Sequence, residues 1–132
     1  MYNSENLTSE ESDYNTSHHG RNDAALRFII IRHGERVDAT YGAGWTQRAF
    51  DYTGQYHPFD SNMPPSLPFR MNYLDFEIDT PLTANGLKQS WSVGNTLARN
   101  QLPIVACYAS PAIRSIQTAD QILEGLGRKG TN

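Results

Sequence analysis

Residues 32 to 36, Arg-His-Gly-Glu-Arg, place an imidazole between two guanidinium groups directly after the apolar run Phe28 to Ile31. A third arginine, Arg114, stands in Ser110-Pro111-Ala112-Ile113-Arg114, again just after an apolar run. A phosphate dianion suits such a set, because each guanidinium is charged at any working pH and donates parallel hydrogen bonds to its oxygens. Cationic neighbours favour the neutral form of His33, whose lone pair can then attack phosphorus as a covalent nucleophile. Gly34 would let the backbone turn tightly beside the phosphate. Taken singly, each residue has an ordinary structural use. Together at the mouth of one sheet, Arg32, His33, Arg36 and Arg114 point to a phosphate site.

The elements around them read as an α/β chain. Leu26 to Ile31 form a continuous apolar, isoleucine-rich run, the pattern of a strand buried on both faces of a parallel sheet. Residues 38 to 80 make a long irregular excursion with Pro58, Pro64, Pro65 and Pro68. Its aromatics, Trp45, Phe50, Tyr52, Tyr56, Phe59, Phe69, Tyr73 and Phe76, need something to pack on. Thr83 is the expected cap of an amphipathic helix over 84–99, with Leu87, Trp91, Gly94, Leu97 and Ala98 at helical spacing. Residues 104–109 read as a second buried strand. A second helix is expected from Ser110 as cap and Pro111 as first helical residue to about Gly125 to Gly127, with Ile113, Ile116, Ile122, Leu123 and Leu126 mostly on one face. Right-handed crossovers would make the strands parallel, and ligands gather at the carboxyl ends of such strands, where both charged clusters fall.

With 132 residues the chain has material for one modest domain. Residues 1–23 carry five acids and one base, a charge of −4, and the rest carries +1 of the total of −3. The first stretch, almost free of aliphatic side chains, is expected to be a disordered acidic tail, with the domain over 24–132. A body without basic excess excludes a nucleic-acid surface, and no apolar run is long enough for a membrane span. The start lacks a signal peptide, which predicts a cytoplasmic address, with the nucleus as the alternative. In that setting the Asn6 and Asn15 glycosylation patterns are idle, and Tyr14 reads as an exposed tail tyrosine. The single cysteine, Cys107, is expected to be a buried inert thiol.

Arg32 to Arg36 resemble the RHG motif of the histidine phosphatase superfamily, also called phosphoglycerate mutase-like, and YASPAIRSIQTADQIL resembles its second arginine motif. Between them DYTGQYHPFDSNMPPSLPFR, DFEIDTPLT and NGLKQSWSVGNTL look like the narrower pattern of the TULA or Sts phosphatases and the ecdysteroid-phosphate phosphatases. The likeness covers about residues 27 to 126. It implies a three-layer α/β/α phosphoglycerate mutase-like fold, incomplete at the C-terminus, without metal or cofactor. His33 would be the phosphorylated nucleophile, Arg32 and Arg114 the catalytic clamp, and Arg36 a further phosphate ligand. Arg36 stands where mutases of the superfamily usually place a small hydroxyl residue, which favours phosphatase over mutase.

The resemblance also implies a glutamate acid and a second histidine beyond the QTA helix, and neither occurs before Asn132. His18, His19 and His57 have no motif that sets them opposite His33. Glu35 and Asp38 are expected to hydrogen-bond the loop or orient the arginines rather than protonate a leaving group. The expected activity is hydrolysis of phosphomonoesters, either phosphotyrosine in proteins or a steroid phosphate, through phosphohistidine. The alternative is an inactive fragment that binds phosphorylated ligands or proteins. For this chain, little or no turnover of para-nitrophenyl phosphate is expected. The expected partners are a phosphorylated substrate and, as an open assembly, a second copy in a homodimer. The acidic tail offers no counterpart of the ubiquitin-binding and SH3 regions of vertebrate TULA relatives.

Overall fold

A computed structural model describes residues 25–128. The chain divides into two units, Met1–Ile30 and Ile31–Asn132. The expectations for the acidic tail, Tyr14, His18, His19 and the two glycosylation patterns lie outside the described residues. Residues 25–30 of the first unit form neither helix nor strand, and the helices and the site below belong to the second unit.

Five helices follow: α1 (Val37–Tyr41), α2 (Trp45–Ala49), α3 (Asp75–Ile78), α4 (Ala84–Arg99) and α5 (Ile113–Gly125). The three short ones belong to the proline- and aromatic-rich excursion, which is ordered because it carries the main core. Val37, Trp45, Ala49, Met63, Phe76 and Ile113 are buried together, with Tyr41, Phe50, Tyr56, Phe59, Leu67 and Tyr73 packed against them. Phe50 stacks on Tyr73 at 4.9 Å between centroids and on Phe76 at 5.8 Å, geometries that add to plain area burial. Six of the eight aromatics expected to pack do so. Tyr52 and Phe69 instead stand exposed.

Polar groups fix the short helices where side-chain caps are missing. Glu77 of α3 accepts the Gly44 and Thr46 amides, both at 3.1 Å, and the Thr46 hydroxyl at 2.5 Å. It thus satisfies donors at the start of α2 that would otherwise lack partners. Burial pushes the Glu77 carboxyl up, but the Thr46 hydroxyl and the two amides outweigh it and leave the group below its ordinary value. Asp79 serves α5 in the same way, accepting the Ile113 amide at 2.8 Å and the Arg70 guanidinium at 2.5 Å.

Helix α4 begins and ends at the residues expected, and the Thr83 hydroxyl accepts the Gly86 amide at 2.9 Å. Its buried stripe differs from the expected one. Gly94 is buried as expected, but the other buried positions are Gly86 and Ser90, whereas Trp91 is about two-fifths exposed. The reason is close packing: a Cβ on Gly94 would overlap the Ile122 backbone of α5, and one on Gly125 would overlap Trp91 and Asn95 of α4. Small residues here let two backbones touch, and bulky ones are pushed to the sides. Helix α5 starts at Ile113 with Ala112 as cap residue, two positions later than expected. Ser110 still contributes, its hydroxyl accepting the Ala112 amide at 3.4 Å. On α5, Ile113 and Ile122 are buried as expected, but Ile116 is exposed.

The two expected strands, 26–31 and 104–109, do not form. The isolated pairings among the described residues are Arg36 with Leu82 and Phe50 with Tyr56. Ile30, Val105 and Tyr108 are more than nine-tenths exposed, and Cys107 is exposed rather than buried. A strand exists only against neighbours that take its amides and carbonyls. An apolar run records what a segment is suited to be buried against, and neither segment has that neighbour among the described residues. No helix among the described residues is long and apolar enough to cross a membrane.

Candidate active site

Residues 32–36 lie across the start of α4, held there by backbone contacts that tolerate no side chain. A Cβ on Gly34 would overlap the Gly86 carbonyl, and one on Gly86 would overlap the Glu35 backbone. The Thr83 amide donates to the Glu35 carbonyl at 2.9 Å, and the Val37 amide to the Pro81 carbonyl at 3.0 Å. Gly34 was expected to let the backbone turn beside a phosphate; the structure gives it a different requirement, close approach to the backbone of α4, with Gly86 as its unanticipated counterpart.

The His33 ring is oriented by its own loop. Its Nδ1 lies 2.9 Å from the Gly34 carbonyl oxygen. A carbonyl can only accept, so Nδ1 carries the proton and Nε2 keeps its lone pair in the neutral ring. Two adjoining clefts open around it. Arg32, His33, Gly34, Glu35, Arg36, Ala39 and Gln89 line one of about 530 Å³. Arg32, His33 and Gly34, with Ile31, Gln89, Ser90, Val93 and Thr118, line another of about 160 Å³.

The three arginines stand differently. Arg32 is exposed, lines both clefts and makes no hydrogen bond or ion pair among the described residues. Arg36 lines the same cleft but is engaged: its Nε donates to Asp38 at 2.8 Å and its Nη2 forms a short contact to the same carboxylate. The pair raises the guanidinium and holds the Asp38 carboxyl below its ordinary value. Arg114, in the first turn of α5, lines neither cleft. It is tied to the site through its backbone, since the Gly34 amide donates to Thr118 Oγ1 at 3.2 Å and that hydroxyl donates to the Arg114 carbonyl at 2.8 Å.

Glu35 turns away from acid duty. Its carboxylate accepts Thr83 Oγ1 at 2.7 Å, Asn62 Nδ2 at 3.0 Å and Asn85 Nδ2 at 3.3 Å. The Asn62 and Thr83 bonds, stronger than the opposing effect of burial, lower its pKa. It is therefore a carboxylate at neutral pH, joining the loop to the head of α4 and to the excursion. Among the residues lining the two clefts it is the one carboxylate, and His33 is the one histidine. His57 is elsewhere, paired with Asp51 at 2.8 Å. No group of three or more His, Cys, Asp or Glu among the described residues is placed to hold a metal ion.

Neutral contributors escaped the reading of the residues, among them Gln89, Thr118, Asn62, Asn85 and Thr83 in its role beyond the cap. Each is a neutral hydrogen-bonding side chain, which carries no charge signal in a sequence. Thr118 had one hint, its place within the QTA of the second arginine motif.

Residues 71–131 match the histidine phosphatase superfamily (branch 1). That span includes Arg114 but begins after Arg32, His33 and Arg36. The chain is 43% identical over 99 residues to ubiquitin-associated and SH3 domain-containing protein A of Mus musculus, covering 74% of this chain and 16% of that protein. It is 43% identical over 105 residues to the ecdysteroid-phosphate phosphatase of Drosophila melanogaster, covering 79% of this chain and 14% of the relative. Among solved structures it resembles the ecdysone phosphate phosphatase of Bombix mori in complex with tungstate, with a TM-score of 0.68 and 40% identity over 73% of this chain and 37% of that one. The fold neighbour supports an α/β fold of the phosphoglycerate mutase-like kind. The chain spans about a sixth of the length of these curated relatives.

Proposed function

Because the chain belongs to the histidine phosphatase superfamily, we propose that it supplies the nucleophile side of a phosphomonoester hydrolase site, with His33 as the group that takes the phosphoryl. Its helices and loops would form part of a three-layer α/β/α domain. The observation that carries the reading is the Nδ1 bond to the Gly34 carbonyl, which leaves Nε2 as the lone-pair nitrogen in a cleft with an unpaired Arg32. In the forward step Nε2 attacks phosphorus, an N–P bond forms, and the ester P–O bond breaks with its electron pair leaving on oxygen. Arg32 donates to the non-bridging oxygens as charge shifts among them. Water then attacks phosphorus, the N–P bond breaks, and inorganic phosphate and neutral His33 return.

The leaving oxygen must be protonated or be stable as an anion, and Glu35 is held as a carboxylate. Aryl esters, whose phenolates leave without a proton, therefore suit the described residues better than alkyl esters. Phosphotyrosine falls in the first class. A steroid phosphate, the substrate class in the name of the Drosophila relative, falls in the second. The same fact favours a second reading, a site that binds a phosphorylated ligand and turns it over slowly or not at all.

Incubation with para-nitrophenyl phosphate, followed by 31P NMR of the denatured chain, separates the two. The first reading expects a base-stable, acid-labile phosphoramidate with up to one equivalent of nitrophenolate released, both abolished by His33→Ala. Phosphate binding without label supports the binding reading. Label that persists in His33→Ala sinks the nucleophile assignment.

A further inference from the structure

Gln89 lines both clefts beside His33, yet the phosphoryl-transfer chemistry above gives it no part. Its Oε1 accepts the Glu35 amide at 3.0 Å. A backbone N–H can only donate, so the atom facing it must be the carbonyl oxygen, and the orientation of the side-chain amide follows from chemistry. Nε2 is thereby turned away from the Glu35 amide, and its two protons have no acceptor among the described residues. The hydroxyls lining the clefts are committed. Ser90 donates to the Gly86 carbonyl at 2.8 Å and Thr118 to the Arg114 carbonyl at 2.8 Å. Gln89 is the neutral side chain with donors left over.

We propose that Gln89 Nε2 contacts the substrate, donating to a non-bridging oxygen of the phosphoryl group held at Arg32 and His33. The assignment rests on the phosphohistidine reading of the same cleft. A pre-oriented neutral donor binds phosphate oxygens without adding a cation that would compete with the developing charge on the imidazole. Its partner bond to the Glu35 amide holds the donor in place before the ligand arrives, so little ordering cost falls on binding.

The test titrates inorganic phosphate into the full chain, following His33 ring signals by NMR, for wild type, Gln89→Glu, Gln89→Met and Lys88→Gln. Gln89→Glu keeps the acceptor for the Glu35 amide but removes the donor. Gln89→Met removes both without charge. Lys88→Gln makes the same −1 change in charge one residue away, outside both clefts. A contact residue predicts phosphate binding at least about 10-fold weaker in Gln89→Glu, about 5-fold weaker in Gln89→Met and within about 2-fold of wild type in Lys88→Gln. Gln89→Glu should also keep the melting temperature of wild type. Equal losses in Gln89→Glu and Lys88→Gln, or wild-type affinity in Gln89→Met, would overturn the assignment. If wild type binds phosphate and Arg32→Ala abolishes it while the Gln89 variants are silent, Gln89 alone is wrong. If wild type shows no phosphate binding, the phosphate site itself falls with it.

Discussion

Gly34 and Thr118, 84 residues apart, are joined by one hydrogen bond from the Gly34 amide to Thr118 Oγ1 at 3.2 Å. Through that hydroxyl, which itself donates a hydrogen bond to the Arg114 carbonyl, the histidine loop and the second arginine helix keep a fixed relation. Thr118→Val preserves shape and removes the acceptor, leaving a part-buried amide unpaired. The expected cost is about 1–3 kcal/mol in thermal or urea unfolding, with weaker phosphate binding. Thr118→Ser should recover most of both. Equal stability of the Val and Ser variants would show that the bond has no role in holding the loop.

Gly86→Ala tests the other fastening of the loop. The new methyl would overlap backbone atoms of Glu35, which cannot swing aside as a side chain would. Overpacking of this kind costs about 1–3 kcal/mol and should move the loop off the head of α4, so that His33 ring shifts change as well as the melting temperature. Alanine normally favours a helix interior over glycine by roughly 1 kcal/mol, so a stabilised variant would mean that the loop does not lie where it is described.

Glu77→Gln probes the excursion instead of the cleft. The carboxylate accepts two amides and a hydroxyl at the start of α2, and Thr46 beside it is fully buried. A neutral amide can present one oxygen but brings an N–H₂ where an acceptor is needed. The expected loss is about 2 kcal/mol, read by urea unfolding, with the phosphate affinity of the cleft little changed.

Stability should fall in acid. The carboxyls of Glu35 and Asp38 are lowered by hydrogen bonds, from Asn62 and Thr83 to the first and from Arg36 to the second. Glu77 ends lowered as well, its bonds outweighing burial. A folded-state pKa below the unfolded value means that the unfolded chain takes up more protons as pH drops, so stability is fully present above the unfolded values of 4.5 and 3.8 and is lost below them. Melting temperature against pH should therefore be flat from neutral to about pH 5 and decline below it. A Glu77→Gln chain should show a shallower decline.

The parts of the fold legible in the sequence were those with local causes. The Thr83 cap and the following run bounded α4 to the residue, because capping and helical spacing act within one or two turns. The strands were illegible as formed elements, since a strand depends on partners that the segments 26–31 and 104–109 do not themselves contain. The His33 loop could be read from clustered charge. Its fastening through Gly86, Asn62, Gln89 and Thr118 could not, because close backbone contact and neutral hydrogen bonds leave no periodic or charge pattern. The buried face of α4 was read only in part: Gly94, expected there, is buried against the Ile122 backbone, whereas bulk suggested Trp91 and the small residues Gly86 and Ser90 take its place.

Arg36 and Asp38 give the last prediction, since the expected phosphate ligand is found paired with a carboxylate. The resemblance implies a phosphate ligand, but the structure holds the guanidinium on a carboxylate two residues along. Both side chains are about a quarter to a third exposed, so the pair should contribute little to stability, on the order of 1 kcal/mol or less. Its effect on the cleft should be larger. Asp38→Asn removes a negative charge from beside an anion site and releases Arg36 donors toward it, so inorganic phosphate should bind about 3- to 10-fold more tightly at low salt. The gain should vanish in Asp38→Asn/Arg36→Ala, and should shrink as ionic strength rises. An Asp38→Asn chain with unchanged affinity would place Arg36 outside the phosphate site, leaving Arg32 as the charge that His33 works beside.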